Sequence, residues 1–333
     1  MKTRFLPRAL ALACLLLAPA ARAQEAKTIN IIVGFTTGGA YDLTARLWSR
    51  HLGRFLPGNP QVVVQNMPGA GSMSATNHLY NLAPRDGSTL AVINGATVFE
   101  PLFGNAAAKY DPQKFNWIGG RTPETALCAV WETARAKTFA DTLAVETTVG
   151  GIGPGSRTNN HPLLLNALLG SKLRVVSGYP GGVEIVVAME RGEVDGFCGW
   201  AWGAIKARSM QLVREGKLRL LVQTGLQKVK ELPDVPFALD LTRSPEDNNV
   251  MRALVTDTQL AWPLLAPPGL PGAKVAQLRE AFDAMSKDAQ YIADAGQAQL
   301  DLDPVGGKAM QEAVNALVAQ PAAIIERAKA IIK

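Results

Sequence analysis

The sequence predicts an α/β fold made of two units of similar size around a cleft. Three observations predict it. Short β-branched runs alternate with segments of helical periodicity through both halves of the chain. Glycine-rich stretches fall where predicted strands pass into helices. The 333 residues exceed one ordinary domain, and a helical tail is long enough to return to the first unit. In open α/β sheets ligands sit beyond the carboxyl ends of strands, so loops there carry the functional weight.

The elements follow in order. Ile29 to Val33 is a β-branched run suited to a buried strand. Gly38-Gly39 breaks it. Leu43, Leu47, Trp48, Leu52 and Phe55 then share one helical face, which Pro57-Gly58-Asn59-Pro60 ends. Gln61 to Gln65 is a second strand, Met73 to Leu82 a helix and Ser88 to Ile93 a third strand. This is βαβαβ, which implies right-handed crossovers. The middle repeats the theme with strands at Leu127 to Val130, Leu143 to Thr147, Leu173 to Val176, Val194 to Cys198 and Leu218 to Gln223. Helices fall at Pro162 to Leu169, Gly182 to Arg191 and Ile205 to Glu215. Val275, Leu278, Phe282 and Met285 give the tail from Ala273 its helical spacing. The first unit is expected to comprise 24–121 with 249–333, and the second 122–248.

The amino-terminal residues predict export. Lys2, Arg4 and Arg8 precede the apolar stretch Ala9 to Ala18, and Ala21-Arg22-Ala23 is a cleavage signal. The apolar stretch is shorter than the roughly 20 residues of a membrane span. Residues 1–23 are therefore expected to be a signal peptide cleaved near Ala23, leaving 310 residues in the periplasm. Cys14 after Ala11-Leu12-Ala13 is a weaker lipidation candidate. Loss of the four basic leader residues takes the net charge from +6 to +2. The remaining Lys and Arg are dispersed, which argues against a nucleic-acid or membrane-surface partner. A monomer is expected. In an oxidising compartment Cys128 and Cys198 are candidates for a disulfide, with a reduced, buried pair as the alternative.

Four loops are candidates for binding. Thr36, Thr37, Gly38 and Gly39 precede the first helix, where free N–H groups and the helix dipole attract anions. Asp42 caps that helix or holds the loop. Gly150 to His161 contains Gly155, Ser156 and Arg157. It lacks the glycine order of a dinucleotide fingerprint and the Gly-Lys ending of a P-loop. Arg157 either pairs bidentately with a carboxylate or is solvated. Asn66 to Met73 reads as a turn that docks the next helix. Tyr179 and Trp200 would wall an apolar ligand body, and Asp195 would receive a ligand amino or hydroxyl group or cap backbone amides.

Catalytic machinery is thin. His51 and His78 lie in helical patterns, and no H-E-x-x-H, C-x-x-C or G-x-S-x-G motif occurs. No cofactor or metal site is expected. Ser156 and His161 share one loop without an identifiable orienting acid, so a hydrolase or isomerase is the reading from another class.

The motifs together resemble the periplasmic substrate-binding proteins of tripartite tricarboxylate transporters, the Bug and TctC-like proteins. Val33 to Asp42 is similar to that family's first loop, and Val64 to Gly71 to its Asn-x-Pro-Gly-Ala-Gly signature. Ala83 to Leu90, Tyr179 to Gly182, Gly192 to Asp195, Leu232 to Pro236 and Leu264 to Gly269 follow in the family's order. The chain departs from it at Thr36-Thr37, where Pro-Ala is usual, and in an enlarged second loop carrying Arg157. The resemblance implies a periplasmic-binding-protein, Venus-flytrap fold and no enzymatic activity. It implies a small mono- or dicarboxylate ligand, held by Thr36, Thr37, Gly38 and Gly39 with Asp42 shaping the loop. Gly153 to Ser156 and Asp195 would contribute from the opposite lobe. Integral-membrane transporter subunits are the implied partners. A ligand-presenting sensor subunit is the alternative in the same class.

Overall fold

The computed structural model describes residues 28–121, 124–298, 300 and 304–332. The expected signal peptide, its cleavage site and Cys14 lie outside them. Strands are β1 (Thr28–Val33), β2 (Gln61–Asn66), β3 (Thr89–Val92), β4 (Asn116–Arg121), β5 (Ala126–Trp131), β6 (Thr147–Gly151), β7 (Leu173–Ser177), β8 (Gly196–Ala201), β9 (Leu218–Thr224), β10 (Ala261–Ala266) and β11 (Pro304–Gly306). Helices are α1 (Ala40–His51), α2 (Met73–Asn81), α3 (Phe99–Leu102), α4 (Arg157–Leu169), α5 (Gly182–Glu190), α6 (Trp202–Arg208), α7 (Met210–Arg214), α8 (Pro245–Val255), α9 (Gly272–Met285), α10 (Ala289–Gln297), α11 (Gly307–Val318) and α12 (Ala322–Ile332).

Two mixed sheets result. The first has the order β11-β4-β10-β3-β1-β2. Its β1, β2 and β3 are parallel, as the βαβαβ reading requires, with α1 and α2 as crossovers. Ile31, Ile32 and Val33 are buried because helices cover both faces of β1. β10 enters antiparallel between β3 and β4. Gly119 and Gly120 leave both faces of β4 bare, so Phe282 of α9 and Met310 of α11 pack directly on its backbone. A Cβ at either position would overlap those side chains, and that close approach is how the tail docks on the first sheet. α12 goes elsewhere and packs against α4 and α8.

The second sheet has the order β7-β6-β8-β5-β9. β6 is parallel to β7 and β8, and β5 is antiparallel to β8 and β9. Cys128 and Cys198 are joined by a disulfide between β5 and β8. It closes a loop of sequence separation 70, so reduction is expected to cost about 2–4 kcal/mol of stability through the unfolded chain. Thiol titration of the unfolded, unreduced mature protein should find no free thiol, and two free thiols would contradict the bridge.

Three local expectations need correction. The strand expected at Leu143 to Thr147 begins only at Thr147, because residues 140–143 form a 3-10 turn. The helix expected from Pro162 begins at Arg157 with Pro162 inside it. Proline removes one intrahelical bond, yet the turn before it is anchored because the Ser156 carbonyl accepts from Asn159 and Asn160 N–H at 3.1 and 2.9 Å. The helix at Ile205 to Glu215 is two, α6 and α7, broken at Ser209.

Candidate functional site

A cavity of about 470 Å³ lies between the two sheets. Phe35, Thr36, Gly39 and Asn94 line it from the first sheet, facing Arg157 and Trp200 from the second. All but Arg157 stand at or just past strand ends, or at the opening of α1. α1, α4 and α5 each begin at this cavity, through Gly39-Ala40-Tyr41, Arg157-Thr158 and Gly181-Gly182-Val183. None of the three is capped by its own N-cap side chain, since Gly39, Ser156 and Gly181 offer no such bond. First-turn N–H groups and three helix dipoles therefore point toward one space.

The loop after β1 is braced from below. Asp42 Oδ2 accepts from Gly38 N and Arg46 Nε, both at 2.8 Å, and Oδ1 accepts from Asn66 Nδ2 at 2.9 Å. Asn66 Nδ2 also donates to Phe35 O at 2.9 Å. Burial pushes the Asp42 carboxyl up, but the hydrogen bonds from Arg46, Gly38 and Asn66 hold it below the usual carboxylate range. Gly38 has φ +89°, a conformation that glycine adopts freely, and it lets the chain turn into α1. Thr37 Oγ donates to Asn66 Oδ1 at 3.2 Å. Thr36 Oγ instead reaches across the cleft and donates to Glu184 Oε2 at 3.2 Å.

Arg157 is buried rather than solvated, 4% exposed. Its Nε donates to Asp257 Oδ2 at 2.6 Å and its Nη2 to the Asp257 carbonyl at 2.8 Å. Glu124 Oε2 stands 3.9 Å from Nη1, and Glu124 Oε1 accepts from Gly203 N at 3.2 Å. Burial opposes ionisation of Asp257, yet the Arg157 charge and the neighbouring His161 hold its carboxyl below the ordinary value. The arginine thus ties the start of α4 to the turn before β10 and has little charge left over for a ligand.

The expected site residues divide in space. Thr36, Gly39, Arg157 and Trp200 line the cavity; Thr37, Gly38 and Asp42 support it from behind. Gly155 and Ser156 turn away from it. Gly155, φ +76°, faces Glu100, whose carboxyl burial pushes up. Ser156 Oγ donates to Gly153 O at 2.6 Å inside its own loop. Their neighbours Arg157 and Thr158 reach the cavity instead. Asp195 precedes β8 at its amino end, roughly 16 Å from Trp200 at about 3.3 Å per residue. Its Oδ2 accepts from Thr148 N and Oγ, both at 2.7 Å. Tyr179 is not part of the cavity lining and packs against the apolar cluster of the second sheet. Ser156 and His161 are not paired: Ser156 Oγ bonds Gly153 O and Thr158 Oγ, while His161 Nδ1 contacts Thr224 Oγ at 2.8 Å and its Nε2 faces Asp257 Oδ1 at 3.8 Å.

Thr158 was among the donors that the sequence offered in the second loop; Asn94, Asp257 and Trp262 were not anticipated. Asn94 follows β3, so the strand-end rule that selected Thr36 would also have selected it. Asp257 had no signal, because its partner is 100 residues away.

No protein-family model matches the chain. A UPF0065 protein of Agrobacterium vitis, from the TAR-I ttuE-ttuC' intergenic region, is 27% identical over 305 residues, 88% of this chain and 81% of that one. The structure of the periplasmic binding protein BugD matches with a TM-score of 0.71 at 20% identity, covering 90% of this chain and 97% of BugD. MatC from Rhodopseudomonas palustris, with bound malate, matches at 0.69 and 23% identity, covering 92% and 99%. The fold is that of a periplasmic binding protein, two α/β units about a cleft.

Proposed function

We propose that this chain, a relative of the UPF0065 proteins with the fold of tricarboxylate-type periplasmic binding proteins, is a solute-binding protein for a small mono- or dicarboxylate. It works in the periplasm as a monomer and delivers its ligand to the membrane subunits of a tripartite tricarboxylate-type transporter. The observation that carries this reading is the meeting of three uncapped helix N-termini at one cavity. An ionised carboxylate cannot leave water without donors. Each charge-assisted hydrogen bond contributes about 1.5–3 kcal/mol net, so a few suffice for micromolar affinity, about −8 kcal/mol. MatC, of the same fold, holds malate. Closure of the two units over the ligand gives the transporter a shape to recognise.

The test is a thermal-shift and calorimetry panel of organic acids against their neutral amides. A carboxylate at about a hundred times its Kd should stabilise the protein by about 2.7 kcal/mol, and the matching amide should not. Equal shifts from acid and amide would sink the reading. Gly39→Val should weaken acid binding about tenfold or more with the unliganded protein as stable as before. A Cβ at Gly39 meets nothing nearer than the Thr36 carbonyl at 3.8 Å, so the side chain fills ligand space rather than protein.

A further inference from the structure

Polar groups line the cavity around the helix N-termini, at Asn94 and Thr158, and again at Glu190, Arg208 and Gln211. The rest of the lining is mostly apolar, and on both sides. From the second sheet, Val183 and Val187 stand one helical turn apart on α5 and are each 36% exposed into the cleft. Behind them Trp200 stacks on Phe197, ring centroids 4.6 Å apart and 18° between planes. From the first sheet, Phe35 stacks on Tyr41 at 4.2 Å, and Tyr41 meets Trp262 at 5.9 Å.

Trp262 has φ +43°, inside a stretch of β10 where the pairing register shifts. A bulky residue in the left-handed region is strained, and such strain persists where surrounding structure enforces it, commonly at ligand sites. Here Arg121 lies over its ring at 4.0 Å and holds the indole against the cavity. Among the described residues, two cations line the wall: buried Arg157 is already engaged by Asp257, and Arg208 of α6 is exposed.

The geometry points to a ligand whose carboxylate carries an aromatic or comparably bulky apolar body, gripped between the Trp262 side of the first sheet and the Trp200 and Val187 side of the second. This rests on the carboxylate reading above. It places the acid at the helix N-termini and the ring where apolar surface would otherwise face water. A four-carbon dicarboxylate would leave the apolar walls uncovered.

The experiment compares phenylacetate, malate and 2-phenylethanol by calorimetry on the mature protein, with two variants. Phenylacetate is expected to bind at least tenfold tighter than malate. Trp200→Leu should bring the two acids within about threefold of each other. Val187→Asp, on an exposed helix face that tolerates charge, should weaken phenylacetate at least tenfold and malate less. Malate binding as tightly as phenylacetate overturns this inference and leaves the carboxylate reading standing. Phenylethanol binding as tightly as phenylacetate overturns the carboxylate reading, and no binding by any of the three overturns both. A phenylacetate preference unchanged in both variants would also overturn it, because the ring would then lie elsewhere.

Discussion

Asp257→Ala is expected to lower the unfolding free energy by about 3 kcal/mol or more, read as a fall in the urea midpoint. Asp257 and Arg157 are almost wholly buried, and the carboxylate is the nearest neutralising group for the guanidinium. Removing it leaves a cation in low dielectric with Glu124 at 3.9 Å as the remaining anion. The bond from Nη2 to the backbone carbonyl of residue 257 survives the substitution, which keeps the loss toward the lower end of the range for broken buried pairs. Arg157→Met combined with Asp257→Leu should recover much of it, since an apolar pair pays no desolvation penalty. The pH dependence has a definite sign. The folded-state carboxyl of Asp257 lies below its ordinary value, with burial opposing and the Arg157 charge prevailing. Its stabilisation is therefore complete above the unfolded value, about 3.9, and is lost as pH falls through the lower folded value. Wild type and Asp257→Ala should differ by a constant amount near neutrality and converge in acid. A midpoint difference under 1 kcal/mol, or one that persists unchanged at pH 2, would show that the pair does not hold the units together.

The same pair marks where sequence reasoning ends. β1 and β3 were legible because strands covered on both faces are largely apolar, the edge strand β2 because of its run of valines, and α1 because its buried stripe has period 3.6. β4 and β10 were not legible. The Gly119-Gly120 pair in β4 reads as a breaker, although bare backbone is what the tail helices require. Pro263 argues against a central strand, yet β10 accepts it within its register shifts. The first loop was legible because its glycines and Asp42 are close in sequence. Of the loop expected opposite it, Arg157 and Thr158 at the start of α4 line the cavity, whereas Gly155 and Ser156, just before them, face Glu100 and their own loop. Asp195 looked like a ligand group for the same reason that it is structural: a carboxylate beside a strand end finds backbone amides, and here they belong to Thr148. Contacts across the cleft, such as Thr36 to Glu184 and Arg157 to Asp257, leave no local trace.

One of those contacts supports the largest expected effect on binding. Gly181→Ala should weaken acid binding about 10- to 100-fold, equivalent to about 1.4–2.8 kcal/mol, while the urea midpoint of the unliganded protein stays within about 0.5 kcal/mol. Gly181 has φ −169° and ψ 179°, extended backbone that alanine adopts without strain. The cost comes from across the cleft, where the new Cβ would overlap Thr36 Oγ and stand 3.0 Å from Glu184 Oε2. The bond from Thr36 to Glu184 then breaks, or the two units part. Affinity falls with the fraction of molecules able to close. Thr36→Ala separates these causes. Alone, it removes one hydrogen bond of about 0.5–1.5 kcal/mol. Placed with Gly181→Ala, it also removes the overlap, because the Thr36 Cβ is 3.6 Å away from the new methyl. The double variant should bind like Thr36→Ala alone, tighter than Gly181→Ala alone. A double variant as weak as Gly181→Ala would place the effect on the α5 amides themselves rather than on closure.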